Sequence, residues 1–250
     1  MKQLLRDLQT HFAVLQDTRV NTERFVRRQI GSVHDQDWRA FKHLTIGDGD
    51  ILDIGANRGQ SIDSFRAVGR TNPIVAFEPN LRLAAKLSRE YALDNTVRIE
   101  PVALSDEPGE QMLFVPHYRK WIFDGLASMD RAEAMTWLTP ERIHRFDPAL
   151  LTCEELTITV RTLDSFELRP AIVKLDTQGT EGRAVRGGLQ TIAAAQPVIL
   201  LESATPEIVD MLQPLGYRPH IFKDGALVAD RLDGSNVFFL VAGHLGARAR

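Results

Sequence analysis

A chain of 250 residues is long enough for one large α/β domain with a sizeable core, and its 44% apolar and 25% charged residues are those of an ordinary globular protein. The formal charge of −3 leaves no basic excess of the kind nucleic-acid binders carry, so no nucleic-acid partner is expected. A single cysteine, Cys153, excludes an internal disulfide framework, and no apolar run approaches the roughly 20 residues that span a bilayer.

The first residues, Met1 to Asp7, interrupt their apolar positions with charges and offer no secretory core, so a cytoplasmic protein is expected. Residues 1–45 read as a helical appendage: Leu4, Leu5, Leu8, Phe12 and Leu15 recur at helical spacing, as do Val26 with Ile30 and Trp38 with Phe41. Arg24, Arg27, Arg28 and Arg39 between them predict a solvated face, with contact to an acidic or sugar-like substrate as the alternative. These helices also offer a surface through which subunits of a homo-oligomer could pair. The turn residues of 45–50 mark the boundary with a core over 46–243.

The core alternates strand and helix. An apolar run at 51–54 gives way to Gly55-Ala56-Asn57-Arg58-Gly59, a tight turn opening a helix with Ile62, Phe65 and Val68 on one face. Asn57 occupies the middle of the glycine pattern, and Asn is the next most tolerant residue of a left-handed backbone. The run 74–77 ends at Glu78-Pro79-Asn80 and leads to a second helix. A third strand, 97–104, ends at Ser105-Asp106. Added strands are expected at 111–115 and 155–160, and between them 116–152 lacks a clean period, as a functional insertion does. The fourth strand, 171–175, ends at Asp176 and the fifth, 198–201, at Glu202. Runs at 217–222 and 236–241 read as a closing hairpin, and 244–250 as a tail.

Strands apolar on both faces and alternating with amphipathic helices mean a parallel sheet covered on both sides, with ligands in the crevice at the carboxyl ends. At those ends stand Asp53, Glu78, Ser105 with Asp106, Asp176 and Glu202. Glu78 lies 25 positions after Asp53, close to the spacing of the acid that takes a ribose diol, which fits both NAD and S-adenosylmethionine. An antiparallel closing hairpin favours a seven-stranded methyltransferase over an all-parallel dehydrogenase. An NAD-dependent oxidoreductase and a catalytically inactive nucleotide-binding module are the alternatives.

Five ordered stretches resemble those of the FkbM-type S-adenosylmethionine-dependent methyltransferases. They are Asp53-Ile54-Gly55-Ala56-Asn57-Arg58-Gly59, Phe77-Glu78-Pro79-Asn80, Val102-Ala103-Leu104-Ser105-Asp106 with Gly109, Thr162-Leu163-Asp164, and Val173-Lys174-Leu175-Asp176-Thr177-Gln178-Gly179-Thr180-Glu181. The resemblance covers about 50–242 and implies a class I, Rossmann-like α/β fold with a seven-stranded, mostly parallel sheet and a C-terminal antiparallel hairpin. It implies S-adenosyl-L-methionine as cofactor. Gly55, Ala56, Asn57 and Gly59 would line its methionine part, Glu78 with Pro79 its ribose, and Leu104, Ser105 and Asp106 its adenine. Asp53 would satisfy the loop or contact the ligand's amino group. Many members carry Glu where this chain has Gln178, which removes a charge there. Residues 1–45 and 116–152 fall outside the resemblance and are where acceptor choice is expected.

The expected reaction is methylation of a hydroxyl on a sugar, glycolipid or secondary metabolite, which needs a group to take the hydroxyl proton. Asp176 is the first candidate. Lys174, two residues earlier and so on the same face of a strand, is its expected partner. His117 and His220 are further candidate bases, with His144 and His34 behind them. Glu181 at a helix N-terminus reads as structural. Asp176 and Glu202 could share a divalent ion, but no third ligand is apparent, so a metal-free site is expected.

Overall fold

The computed structural model describes residues 10–202 and 204–246. The helical spacing of Leu4, Leu5 and Leu8 and the tail from 247 lie outside the described residues. The central sheet has the strand order β11-β10-β12-β9-β8-β1-β2-β3. Five parallel strands form its middle and one flank: β1 (Asp50–Ile54), β2 (Ile74–Phe77), β3 (Val97–Glu100), β8 (Pro170–Leu175) and β9 (Val198–Leu201). The other flank is β12 (Val237–Leu240), antiparallel to both β9 and β10 (Arg218–Lys223), and then β11 (Ala226–Ala229).

The sheet is therefore mixed and eight-stranded, where seven strands were expected. The two runs of the expected closing pair do lie side by side as β10 and β12. The added strand arises because Asp224 and Gly225 both take positive φ, 52° and 83°, the backbone of a tight hairpin turn that folds Ala226–Ala229 back on β10.

Alternate residues of the buried strands pack on opposite faces. Leu52, Ile54, Val173, Leu175, Ile199 and Leu201 meet the helices α5 (Glu181–Arg186), α6 (Leu189–Ala195) and α7 (Pro206–Leu212). Ile51, Ile172, Val198 and Leu200 form the other layer with Ile62 and Phe65 of α2 (Gln60–Ala67) and Leu87 of α3 (Leu81–Glu90). Into that second layer go Trp38 and Phe41 from a 3-10 turn at Gln36–His43, with ring centroids 4.5 and 5.5 Å from Phe65. These residues are core, so packing runs across the boundary expected at 45.

Ahead of them, α1 (Ala13–Ile30) docks through charged side chains. Arg24, 5% exposed, donates to Asp63 at 2.8 Å, Glu90 at 2.9 Å and the Tyr91 hydroxyl at 3.0 Å. Arg28 joins it on Asp63 and Glu90. Two of the arginines expected on a solvated face thus tie α1 to α2 and α3, while Phe25, Val26 and Ile30 are exposed. Among the described residues no helix is long and apolar enough to cross a membrane.

The expected third strand breaks at Pro101. β3 stays in the central sheet, and β4 (Ala103–Leu104) leaves it to pair with β7 (Leu151–Arg161) in a second sheet of order β4-β7-β5-β6. There β5 (Gly109–Tyr118) and β7 form a long antiparallel hairpin, and β6 (Trp121–Ile122) folds back on β5. The expected strands at 111–115 and 155–160 are the inner parts of that hairpin. The segment joining its arms carries α4 (Arg131–Thr136) and its own small core of Tyr118, Leu138 and Ile143, which is why no single helical or strand period spans it.

Candidate active site

The loop leaving β1 is a backbone structure pinned by the next strand end. The N–H groups of Gly55 and Ala56 both donate to the Phe77 carbonyl, at 3.0 and 3.1 Å. Gly55 has φ +80°, and a Cβ there would stand 1.9 Å from the Asp176 carbonyl oxygen, so this crossing admits only glycine. Asn57 takes φ +48°, the left-handed form expected of it, and its N–H donates to Glu78 Oε2 at 2.7 Å. Gly59, φ +81°, starts α2.

The other Glu78 oxygen, Oε1, accepts from Asn80 N–H at 2.8 Å. Burial pushes the Glu78 carboxyl up to about 7 despite these two bonds. Each oxygen keeps a lone pair beyond its backbone bond, and the side chain faces a cavity of about 440 Å³ at the carboxyl ends of the strands.

Beneath the loop lies an ionic cluster set by register. Asp53 of β1 stands opposite Lys174 of β8, and Lys174 Nζ is 3.2 Å from Asp53 Oδ1, 2.9 Å from the Gly55 carbonyl and 3.7 Å from Asp176 Oδ2. Ser61 donates to Asp53 Oδ2. Burial alone would lower the Lys174 ammonium, but Asp53 and Asp176 raise it above its ordinary value, so it stays charged. Asp53 is fully buried and does not reach the cavity wall; its partners are Lys174 and Ser61.

Asp176 and Glu202 end the neighbouring strands β8 and β9. Gln178 Nε2 donates to Asp176 Oδ1 at 2.6 Å and to Glu202 Oε2 at 3.4 Å. A hydrogen bond that the protonated Glu202 carboxyl donates to Asp176, burial and repulsion by the Asp176 charge push Glu202 up to about 8, while Lys174, Glu202 and Gln178 outweigh burial and hold Asp176 below its ordinary value. The two carboxyls are thus pushed apart, Asp176 towards its ionised form and Glu202 towards its protonated one. Glu181 accepts N–H bonds from Thr177 and Gly179, a structural cap on the turn.

The cavity brings together Gly55, Ala56, Asn57, Glu78, Pro79, Leu104, Lys174 and Asp176 from the sequence-predicted set. Phe77, Val102 and Leu113 extend the apolar end beside Leu104. Gly59, Ser105 and Asp106 do not line it. Gly59 packs under Arg24, and Ser105 donates to Asp106, whose carboxylate is held well below the ordinary range by Arg183, Ser105 and Arg186 against the effect of burial. His117 points from β5 to Glu154, 3.2 Å away and outside the cavity, and His220 is buried in β10 with Nδ1 2.9 Å from the Arg218 carbonyl.

Four further groups close the cavity. Asp124, held by Arg58, comes with Gly125, Ala127 and Met129 from the segment that joins β5 to β7. Glu23 and Arg27 of α1, and His34 after it, line it as well. His34 Nδ1 lies 2.8 Å from the Ser64 hydroxyl, and burial with the nearby Lys174 charge lowers its basicity. His34 is among the lesser candidate bases of the sequence and Arg27 among the arginines allowed a substrate contact, whereas no motif marks Glu23 or Asp124, which long-range docking delivers.

A family model for the FkbM methyltransferase domain matches residues 53–219. The chain belongs to the FkbM methyltransferase family. The resemblance drawn from the five stretches is thus borne out, and the family's methyl donor is S-adenosylmethionine. No curated protein sequence matches the chain. Among solved structures, the FkbM methyltransferase of Methylobacillus flagellatus KT is 14% identical with a TM-score of 0.46, over 77% of this chain and 43% of its own length. Precorrin-6y C5,15-methyltransferase of Geobacter metallireducens GS-15 is 14% identical with a TM-score of 0.37, over 83% and 86%. A SAM-dependent O-methyltransferase of Thermotoga maritima is 13% identical with a TM-score of 0.37, over 84% and 66%. The chain spans less than half the length of the Methylobacillus protein.

The residues of the cavity fit the family's donor. Its volume is in the range of small-molecule sites, the loop Gly55 to Asn57 lines it, and a buried carboxyl with free lone pairs suits a diol.

Proposed function

We propose that this FkbM-family protein is an S-adenosylmethionine-dependent O-methyltransferase acting on a hydroxyl of a sugar, glycolipid or secondary metabolite. The observation that carries the reading is an ionised carboxylate, Asp176, on the same cavity as the glycine loop and Glu78. In this reading Gly55, Ala56 and Asn57 hold the amino-acid part of the donor. Glu78 accepts from both ribose hydroxyls, and Phe77, Val102, Leu104 and Leu113 enclose the adenine. The bound donor supplies an electrophilic methyl group on a sulfonium.

An attacking hydroxyl must lose its proton as the new C–O bond forms, and a positioned base typically contributes 10²–10⁴-fold. Asp176 is that base: Lys174 and Gln178 keep it ionised and oriented, and Glu202 is pushed towards its protonated form. His117, engaged with Glu154, has no part in the step.

Two substitutions separate binding from chemistry. Glu78→Ala should weaken S-adenosylhomocysteine binding by about 1–3 kcal/mol through the loss of a charged acceptor. Asp176→Asn should leave that affinity within about threefold and cut turnover on a hydroxyl acceptor by about 10²–10⁴. Unchanged binding in the first variant, or unchanged turnover in the second, would overturn the reading.

A further inference from the structure

The charged groups facing the cavity are, with one exception, already matched. Glu23 accepts from Arg19 at 2.8 Å, and Asp124 from Arg58 at 3.0 Å. Lys174 is shared by Asp53 and Asp176. Glu78 accepts from the Asn57 and Asn80 N–H groups, and His34 is turned to Ser64.

The exception is Arg27. Its guanidinium lines the cavity half-buried and has no hydrogen-bond or ion-pair partner among the described residues. It is not loose for want of support. Arg24 and Arg28 on the same helix spend their guanidinium groups on Asp63 and Glu90, and Arg24 also reaches the Gly59 carbonyl, so α1 is fixed over the start of α2 with Arg27 aimed at the cavity. A guanidinium that lines a cavity and is unmatched by the protein selects a negative group on whatever fills the space.

The cavity has a polarity that says which group. Its far end is apolar, with Phe77, Val102, Leu104 and Leu113, and suits a flat ring. Glu78 is bonded to the Asn57 N–H of the loop that runs on from Gly55 into α2, and at α2 His34 lies 2.8 Å from Ser64, within reach of the Lys174 and Arg27 charges. We propose that Arg27 is the carboxylate-binding residue of the cofactor site, holding the methionine carboxylate of the donor from outside the domain that the family model matches. The proposal rests on the reading that the donor fills this cavity with its adenine beside Leu104. It makes α1, which precedes the matched residues 53–219, part of the cofactor site rather than only of the acceptor side.

Calorimetry on the full chain with two ligands tests it. S-adenosylhomocysteine carries the carboxylate; 5′-methylthioadenosine shares its adenine and ribose but lacks the amino acid. Arg27→Gln should weaken S-adenosylhomocysteine on the order of ten- to a hundredfold and leave methylthioadenosine within about twofold, because a charge-assisted bond is lost for one ligand only. Arg27→Lys, which keeps the charge without the planar fork, should recover part of the loss. Equal losses for both ligands, or none for either, would overturn the assignment, as would a variant whose only change is a raised KM for an acidic acceptor. Glu78→Ala is the reference, since it should weaken both ligands. Wild-type protein that binds neither ligand overturns the reading of the cavity as a donor site, and this assignment with it.

Discussion

On the side of the β1 and β2 tips, the cavity wall is backbone held by its own hydrogen bonds: Gly55 and Ala56 on Phe77, Asn57 and Asn80 on Glu78. The rest of the wall is a set of side chains carried in from a distance, by α1 and by the segment around Asp124 and Gly125. The first wall leaves no room for variation, because its atoms approach one another to within contact distance across three strand ends. The second is fixed only where it is tethered, by Arg24 and Arg28 at one point and by Arg58 with Asp124 at another. A donor common to a family needs the first kind of wall. In the reading proposed here the acceptor is met by the second, whose segments stand outside the sheet.

Substituting a glycine on the backbone wall tests that contrast most strongly. Gly55→Ala must place a Cβ 1.9 Å from the Asp176 carbonyl oxygen at φ +80°. A left-handed non-glycine residue costs of order 1–3 kcal/mol before the clash is counted, so a loss above about 3 kcal/mol is expected. Relieving the clash would part β1 from β8 at Lys174, so donor binding should disappear with it. A variant with wild-type melting temperature and intact S-adenosylhomocysteine binding would show that this wall is not rigid.

The next effect is electrostatic. Glu78 is pushed up to about 7 in the folded protein, from an ordinary value of about 4.5. Between those two values the folded state binds the proton more tightly than the unfolded chain does. Stability of the ligand-free protein should therefore fall as pH rises through this window, level off above about 7, and lose at most about 3 kcal/mol across it. Glu202, pushed up to about 8, acts in the same direction, so the quantity to measure is a difference. Denaturant unfolding of wild type and Glu78→Gln from pH 5 to 8 should show a steeper decline in the wild type. A wild-type slope equal to that of the variant would mean that Glu78 titrates as an exposed acid, and the buried diol site would lose its basis.

The two walls also differ in how far the sequence reveals them. Gly55, Asn57 and Glu78 sit within a few residues of strand ends, and a strand end is visible as the place where an apolar run stops. What lay hidden was register. Alternation puts Asp53 on the face of Ile51, but only the pairing of Asp53 with Lys174 shows that it is buried under the loop. That pairing also brings Lys174 closer to Asp53 than to Asp176, the partner expected from its own strand. Ser105 and Asp106 sit behind Leu104 because Pro101 interrupts the strand that was to present them, and Asp106 is spent on Arg183 and Arg186. Trp38 and Phe41 carry a helical spacing that says nothing of Phe65 and Phe238, which they meet. His34, Arg27 and Asp124 reach the cavity through contacts spanning tens of residues, and no local pattern encodes them.

The smallest effect belongs to the second wall, and it bears on the contrast as directly as the largest. Gly125 lies over the same cavity as Gly55, in the 3-10 turn Asp124–Leu126. A Cβ there would meet only Asn57 Nδ2, at 3.6 Å, an ordinary van der Waals contact, and its φ is not in the left-handed region. Gly125→Ala also restricts the unfolded chain, a gain of about 0.4–1 kcal/mol that offsets any small cost of the new contact. Melting temperature and S-adenosylhomocysteine affinity should therefore stay near wild type, within about 0.5 kcal/mol, and KM for the acceptor should be the constant that moves. If the added methyl group instead destabilises the fold as Gly55→Ala does, the segment around Asp124 is as tightly built as the β1 tip. Acceptor choice would then have to be made elsewhere, on the α1 side of the cavity.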